Sequence, residues 1–330
     1  MKKILVTGGA GYVGAILVPK LLEQGYFVRV LDTFWFDGGA MKVYLNRTNC
    51  ELIEGDIRDK SLVERALKDM DIVIHLAAIS NDPCSDLSPK LTQRVNYDAI
   101  DHLVDIAKTS GVTRFIAASS SSVYGVKEDP LVVETTPLEP ITLYAKLKAE
   151  SENIILAVED DNFVPVCIRS ATVCGYSPRM RLDLTVNILT SHAVNNRVIT
   201  VFGGQQKRPN IHIEDITDVY TMLVECPAEK ISGEVFNVGA KNYKVVEIAE
   251  IVKGVVGDDV QIVVTDTVDE RSYYISSEKI KAVLGYETKR TVEDAVRDVK
   301  EAFEKGLIPD YQNIKYSNVK TMKEMKLDQI

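Results

Sequence analysis

Almost nothing in this chain of 330 residues points to covalent or metal cross-linking. There are five cysteines, Cys50, Cys84, Cys167, Cys174 and Cys226, an odd number with no CxxC among them. That pattern excludes a disulfide framework and suits a reducing compartment. The four histidines, His75, His102, His192 and His212, form no HxxxH or HxxH pair, so no metal site is expected. A basic surplus is also lacking. The 39 Lys and Arg are outnumbered by 48 Asp and Glu, giving a net charge of −9, the opposite of a nucleic-acid footprint. No apolar run is long enough to cross a membrane, and the short one after Met1-Lys2-Lys3 is too brief for a signal peptide. Repeats and low-complexity tracts are missing too. What remains is ordinary globular composition, 45% hydrophobic and 26% charged. The expectation is a soluble cytoplasmic protein with neither nucleic-acid nor membrane partners.

The first half alternates short apolar runs with amphipathic stretches. Ile4–Thr7, Phe27–Leu31, Glu51–Glu54, Ile72–Leu76, Phe115–Ser119 and Val164–Arg169 read as buried strands. Tyr12–Glu23, Leu62–Lys68, Val95–Thr109 and Pro140–Val158 read as the helices between them. Such alternation predicts an α/β fold, a doubly wound parallel sheet covered on both faces. Beyond Gly175 the rhythm loosens. Helices are predicted over Leu184–Val194, Asp215–Glu225, Val245–Val256 and Val292–Lys305, with short strands at Val198–Phe202, Val235–Val238 and Val260–Val264. This suggests a dinucleotide-binding domain over 1–175 and a smaller substrate-binding lobe over 176–330, with segments exchanged across the boundary. The polar tail from Pro309 is expected to wrap the surface.

Thr7-Gly8-Gly9-Ala10-Gly11-Tyr12-Val13-Gly14 joins the first strand to the first helix. Glycines spaced this way let backbone approach a pyrophosphate, while the helix end offers amide donors and a positive dipole. A tight strand-to-helix turn without a ligand is the plainer alternative. Gly8, Gly11, Tyr12 and Val13 are the expected contacts. Asp32 ends the second strand, where a carboxylate meets the adenosine ribose of NAD and repels the 2′-phosphate of NADP; a surface turn residue is the alternative. Asp56 and Ile57, after the third strand, are placed to meet the adenine, unless they only cap a turn.

Tyr144 and Lys148 lie four apart and so share one helix face. A tyrosine is a poor base at its ordinary pKa of about 10, and a neighbouring ammonium favours its phenolate. Tyr144 can then exchange a proton with a substrate hydroxyl. Ser119 to Ser122 follow a buried strand at the end where parallel sheets bind ligands, so one of these hydroxyls is a candidate donor to the substrate oxygen; a serine-rich turn is the alternative.

Taken together these motifs resemble the extended short-chain dehydrogenase/reductase family, in its nucleotide-sugar epimerase/dehydratase branch. The resemblance also rests on His75-Leu76-Ala77-Ala78, Asn96, Ser119–Gly125, Arg169–Gly175, Arg208–Asp215 and Phe236-Asn237-Val238-Gly239, and it spans almost the whole chain. It implies a catalytic Ser120 beside Tyr144 and Lys148, with NAD as cofactor. Leu76, Ala77, Ala78, Asn96 and Ser119 would lie along that cofactor. Ser80, Ser121, Thr172, Arg181, Asn187, Arg208 and Arg271 would meet a nucleotide sugar, the last two arginines clamping its pyrophosphate. The family's dehydratases keep acids where Ser121 and Ser122 stand, so the serine run is more like that of 4-epimerases. The segment Tyr176–Asp183 is instead similar to a side branch that includes a GDP-heptose 4-dehydrogenase. The resemblance therefore implies a nucleotide-sugar 4-epimerase, with a 4-dehydrogenase or another nucleotide-sugar oxidoreductase as the alternative. A non-catalytic NAD(H)-binding protein is the reading from another class. Homodimerisation through Leu91–Thr109 and Leu143–Val158 is implied as well.

Overall fold

The computed structural model of the chain describes residues 1–36, 38–44, 46–127, 131–266, 272 and 274–329. The first half runs β1 (Lys3–Thr7), α1 (Gly14–Glu23), β2 (Phe27–Asp32), α2 (Gly39–Lys42), β3 (Cys50–Glu54), α3 (Lys60–Leu67), β4 (Ile72–His75), α4 (Asp82–Leu87), α5 (Pro89–Gln93), α6 (Ala99–Thr109), β5 (Arg114–Ser120), α7 (Leu143–Ala157) and β6 (Val164–Ser170). The second half continues with β7 (Thr172–Cys174), α8 (Thr185–Asn196), β8 (Val198–Phe202), β9 (Lys207–His212), α9 (Ile213–Glu225), β10 (Glu234–Val238), β11 (Asn242–Lys244), α10 (Val245–Val256), β12 (Gln261–Thr265), α11 (Glu278–Leu284), α12 (Val292–Glu304) and α13 (Asn318–Glu324).

Seven parallel strands form the central sheet in the order β10-β6-β5-β4-β1-β2-β3. The chain winds one way through β1, β2 and β3 and the other way from β4, so the order reverses between β1 and β4. The carboxyl ends of these two strands diverge from their connections there and leave a crevice. Alternating burial does not arise in strands covered on both faces, and Ile4, Leu5 and Val6 are all fully buried. Leu17 and Leu21 of α1 and Val219 and Leu223 of α9 fill one face of the sheet. Val63 of α3, Leu103 of α6 and Ile155 of α7 fill the other. A smaller lobe packs α8, α10 and α12 around Val186, Ile248 and Val296, flanked by a three-stranded and a two-stranded sheet.

Three expectations are corrected. The strand at Val235–Val238 is the edge of the main sheet, because β10 pairs with β6 from Glu234↔Val166 to Val238↔Ser170. The helix expected over Val95–Thr109 begins with a π-helical turn, Arg94–Asp98, before α6. The tail from Pro309 does not simply wrap the surface. Tyr316, Met322 and Leu327 are buried in the two clusters that flank the crevice, and this burial anchors α13. The five cysteines are free thiols, no metal-binding cluster occurs among the described residues, and no helix there is long and apolar enough to cross a membrane.

Candidate active site

The crevice opens into a cleft of about 470 Å³. Gly8, Gly11, Tyr12, Val13, Asp32, Asp56, Ile57, Leu76, Ala77 and Ala78 line one part of it. Ser119, Ser120, Ser121, Tyr144, Lys148, Ser80, Thr172, Arg181 and Arg208 line the rest. One volume thus gathers residues from both halves of the chain, and its size falls within the range of small-molecule sites.

Gly8 has a φ of +72°, and a Cβ there would stand 2.6 Å from the Ala77 amide nitrogen. Only glycine lets the turn and the β4 loop come this close. The amides of Tyr12 and Val13, at the start of α1, meet no protein acceptor among the described residues. They are the exposed donors expected of a helix amino terminus. Asp32 accepts from the Ala10 amide at 2.9 Å and the Phe34 amide at 2.8 Å, which aims its carboxylate across the end of β2. Burial pushes this carboxyl up, and the two amides and the Arg179 charge oppose the rise. Asp56 forks onto Arg58 at 2.6–2.9 Å. Burial would raise Asp56, but Arg58 outweighs it and holds the carboxyl below the usual range. The bare glycine turn, the open amides and the carboxylate of Asp32 fit a dinucleotide.

Opposite them stands the hydroxyl cluster. Ser120 ends β5, and its Oγ accepts from Ser122 Oγ at 2.9 Å and from the Ser122 amide at 3.2 Å. Thr142 caps α7 through the Ala145 amide, so the helix starts just before Tyr144 and points that residue into the cleft. One turn on, Lys148 is 7% exposed and donates from Nζ to the Ala118 carbonyl at 2.7 Å. Burial brings this ammonium down to about 8, with Glu152 opposing the shift. Behind it His75, in contact with Thr7 Oγ1 at 2.7 Å, is pushed down to about 3 by burial and by the Lys148 charge, and stays neutral.

The floor of the site is an ion pair that sequence reasoning missed. Glu152 is 2% exposed and meets Arg169 Nη2 at 2.6 Å. Burial would depress Arg169, but the carboxylate more than reverses this. Arg169 also donates to the Tyr124 hydroxyl at 2.8 Å, which in turn donates to Asn237. Ser119, expected along the cofactor, lines the cleft but donates its hydroxyl to Glu152. The signal was the spacing Tyr144, Lys148, Glu152, each a turn beyond the last on one helix face.

Two expected contacts stand behind the wall rather than on it. Asn96, in the π-helical turn, accepts from the Ile79 amide at 2.8 Å and donates to the Ile79 carbonyl at 2.9 Å. It fixes the β4 loop and spends both polar ends doing so. Asn187 does the same for the 175–181 segment, bonding the Gly175 amide, the Arg181 carbonyl and the Tyr12 hydroxyl. Arg271 lies outside the described residues. Arg181 is 7% exposed, pairs with Asp183 at 2.9 Å and reaches Ser80 at 3.2 Å. Two further wall residues escaped the sequence reading, Arg179 and Asn318. The alternation of charged and apolar residues in Arg179-Met180-Arg181-Leu182-Asp183 was the only local hint.

Residues 4–239 match the model of the NAD dependent epimerase/dehydratase family. A UDP-glucose 4-epimerase of Lactobacillus helveticus is 30% identical over 316 residues, covering 89% of this chain and 94% of that protein. A dTDP-D-glucose 4,6-dehydratase of Mus musculus is 27% identical, covering 92% of this chain and 89% of its own. The crystal structure of UDP-glucose 4-epimerase from Thermotoga maritima with UDP-glucose superposes with a TM-score of 0.82 at 28% identity, over 92% of this chain and 99% of that one.

Proposed function

The chain belongs to the NAD-dependent epimerase/dehydratase family, and on that premise we propose that it is a nucleotide-sugar 4-epimerase. Bound NAD supplies the one chemistry its side chains lack, reversible acceptance of a hydride from a sugar carbon. Tyr144 takes the proton of the C4 hydroxyl and later returns it to the same oxygen. Ser120 holds that oxygen through its hydroxyl, and Ser122 orients Ser120. Lys148 keeps a positive charge beside the exchange while the pH stays below about 8. Arg208 and Thr172 hold the nucleotide end of the sugar.

One observation carries this reading over dehydration. Each carboxylate lining the cleft among the described residues is engaged elsewhere. Asp32 is held by the Ala10 and Phe34 amides, Asp56 by Arg58, Asp82 by Thr142 and Asp183 by Arg181. The segment Ser119–Tyr124 contains none. Elimination of water needs an acid and a base at neighbouring carbons, whereas alcohol–ketone exchange with NAD as hydride acceptor needs from the protein only the phenol and its hydroxyl partner. The unusual segment Tyr176–Asp183 favours a second reading, a 4-dehydrogenase that releases the ketose.

Incubation with candidate nucleotide sugars in deuterated water, following product mass and the absorbance of reduced cofactor together, separates the two. A new diastereomer of unchanged mass, without net cofactor reduction, is expected. A stable product lighter by one pair of hydrogens, formed with stoichiometric cofactor reduction, overturns the epimerase in favour of the dehydrogenase. Deuterium at C3 or C5 overturns it in favour of a keto–enol route.

A further inference from the structure

Arg179 is 4% exposed and stands in the cleft wall between the loop after β2 and the start of α13. Its Nε donates to the Phe36 carbonyl at 3.3 Å, its Nη2 donates to Asn318 Oδ1 at 2.5 Å, and its guanidinium lies over the Phe36 ring at 4.9 Å. All three partners are neutral. Among the described residues no carboxylate forms an ion pair with it, and its buried Nη1 has no acceptor. A buried cation with an unmade hydrogen bond is among the costlier arrangements a fold can keep. Here it is actively held inward, because Asn318 is itself anchored. Asn318 donates to Ser80 Oγ at 3.1 Å, and its amide donates to Asp183 at 2.9 Å.

We propose that Arg179 completes an anion subsite for the pyrophosphate of NAD, in the cleft that the open amides at the start of α1 also line, and that Asn318 is the positioning residue that holds it there. Planar guanidinium donors match paired phosphate oxygens, and the ligand supplies the acceptor that Nη1 lacks. The cofactor is favoured over the nucleotide sugar by position. Arg179 touches Phe36, just past β2, and feels the carboxylate of Asp32, the last residue of β2, whereas Arg208 and Thr172 come from β9 and β7. The inference rests on NAD dependence and is independent of whether the reaction ends as epimerisation or oxidation.

Calorimetric titration of NAD, and separately of UDP and GDP, into wild type, Arg179→Met, Arg179→Lys and Asn318→Ala tests it, with thermal melts of each unliganded protein. Arg179→Met should bind NAD about 10- to 100-fold more weakly, the range for losing a charge-assisted bond. Nucleoside diphosphate binding should not change. The unliganded melt should be no lower than wild type, since an uncompensated buried charge has been removed. Arg179→Lys should recover part of the NAD affinity, and Asn318→Ala should fall between the two. Unchanged NAD affinity in Arg179→Met overturns the proposal. A loss confined to nucleoside diphosphates moves the arginine to the substrate half and overturns it too. A lower unliganded melt with equal losses for every ligand reduces Arg179 to a packing role and has the same effect.

Discussion

Lys148 donates to the Ala118 carbonyl, yet burial brings its ammonium down to about 8. The group is a cation below that pH and neutral above it, and the support it gives to a phenolate is lost in the same direction. Turnover at saturating substrate should therefore decline as pH rises through about 8, and Lys148→Met should abolish that alkaline limb along with most of the activity. A profile that keeps climbing past this pH would remove Lys148 from the proton exchange. Tyr144→Phe keeps the ring and deletes the proton acceptor. Turnover should drop by about 10²–10⁴-fold, with NAD affinity retained in calorimetry. Near wild-type turnover in that variant would end the proposed chemistry. These residues were legible because each sits in a short contiguous motif whose spacing alone puts the groups on one face or at one strand end. Arg179, Glu152 and Asn318 were not, since their partners come from other elements and only the folded chain brings them together.

Among the elements, α7 and β6 carry the clearest mutual dependence. Glu152 on α7 neutralises Arg169 on β6, with both side chains almost wholly buried. Glu152→Gln would leave the guanidinium without its counter-charge, a change that costs about 3–5 kcal/mol where such pairs have been broken. Urea unfolding should show that loss. A loss below about 1 kcal/mol would mean water reaches Arg169 and that the floor is less dry than its burial indicates. The elements that alternate regularly were readable from apolar periodicity, and Phe27–Asp32 and Val245–Val256 end within one residue of their expected limits. Short strands were not. Thr172–Cys174 and Asn242–Lys244 are three residues each and exist because β9 lies between them to pair with, a tertiary cause with no local pattern. The π-helical turn at Arg94–Asp98 escaped for a related reason. Asn96 inside it answers to the backbone of Ile79, on a different segment.

At the scale of the whole molecule, the two halves of the cleft come from different packing units. The glycine turn and Asp32 stand on the main sheet, while Arg208 stands on β9 of the small three-stranded sheet. Arg208→Ala should therefore weaken the nucleotide sugar by about 1.5–3 kcal/mol and leave NAD affinity close to wild type. Parallel loss of both ligands in calorimetry would show that the two units do not act separately. The order of the sheet was partly legible, since alternation implies parallel strands, but β10 could not be assigned to it from sequence because its neighbour β6 is separated from it by the entire run from β7 to α9.

Asn318 and Ser80 touch at 3.1 Å although they stand 238 positions apart in the chain. During synthesis the ribosome releases the β1–β6 segment long before α13, and parallel sheets of this kind begin to fold as they emerge. The strands and the glycine turn would then be in place while one wall of the cleft is still inside the exit tunnel. A nascent chain halted before Asn318 should accordingly hold NAD poorly even with its sheet formed, and retention should rise abruptly once that residue clears the tunnel. Cofactor loading in this protein would then follow the emergence of α13 rather than the folding of the sheet.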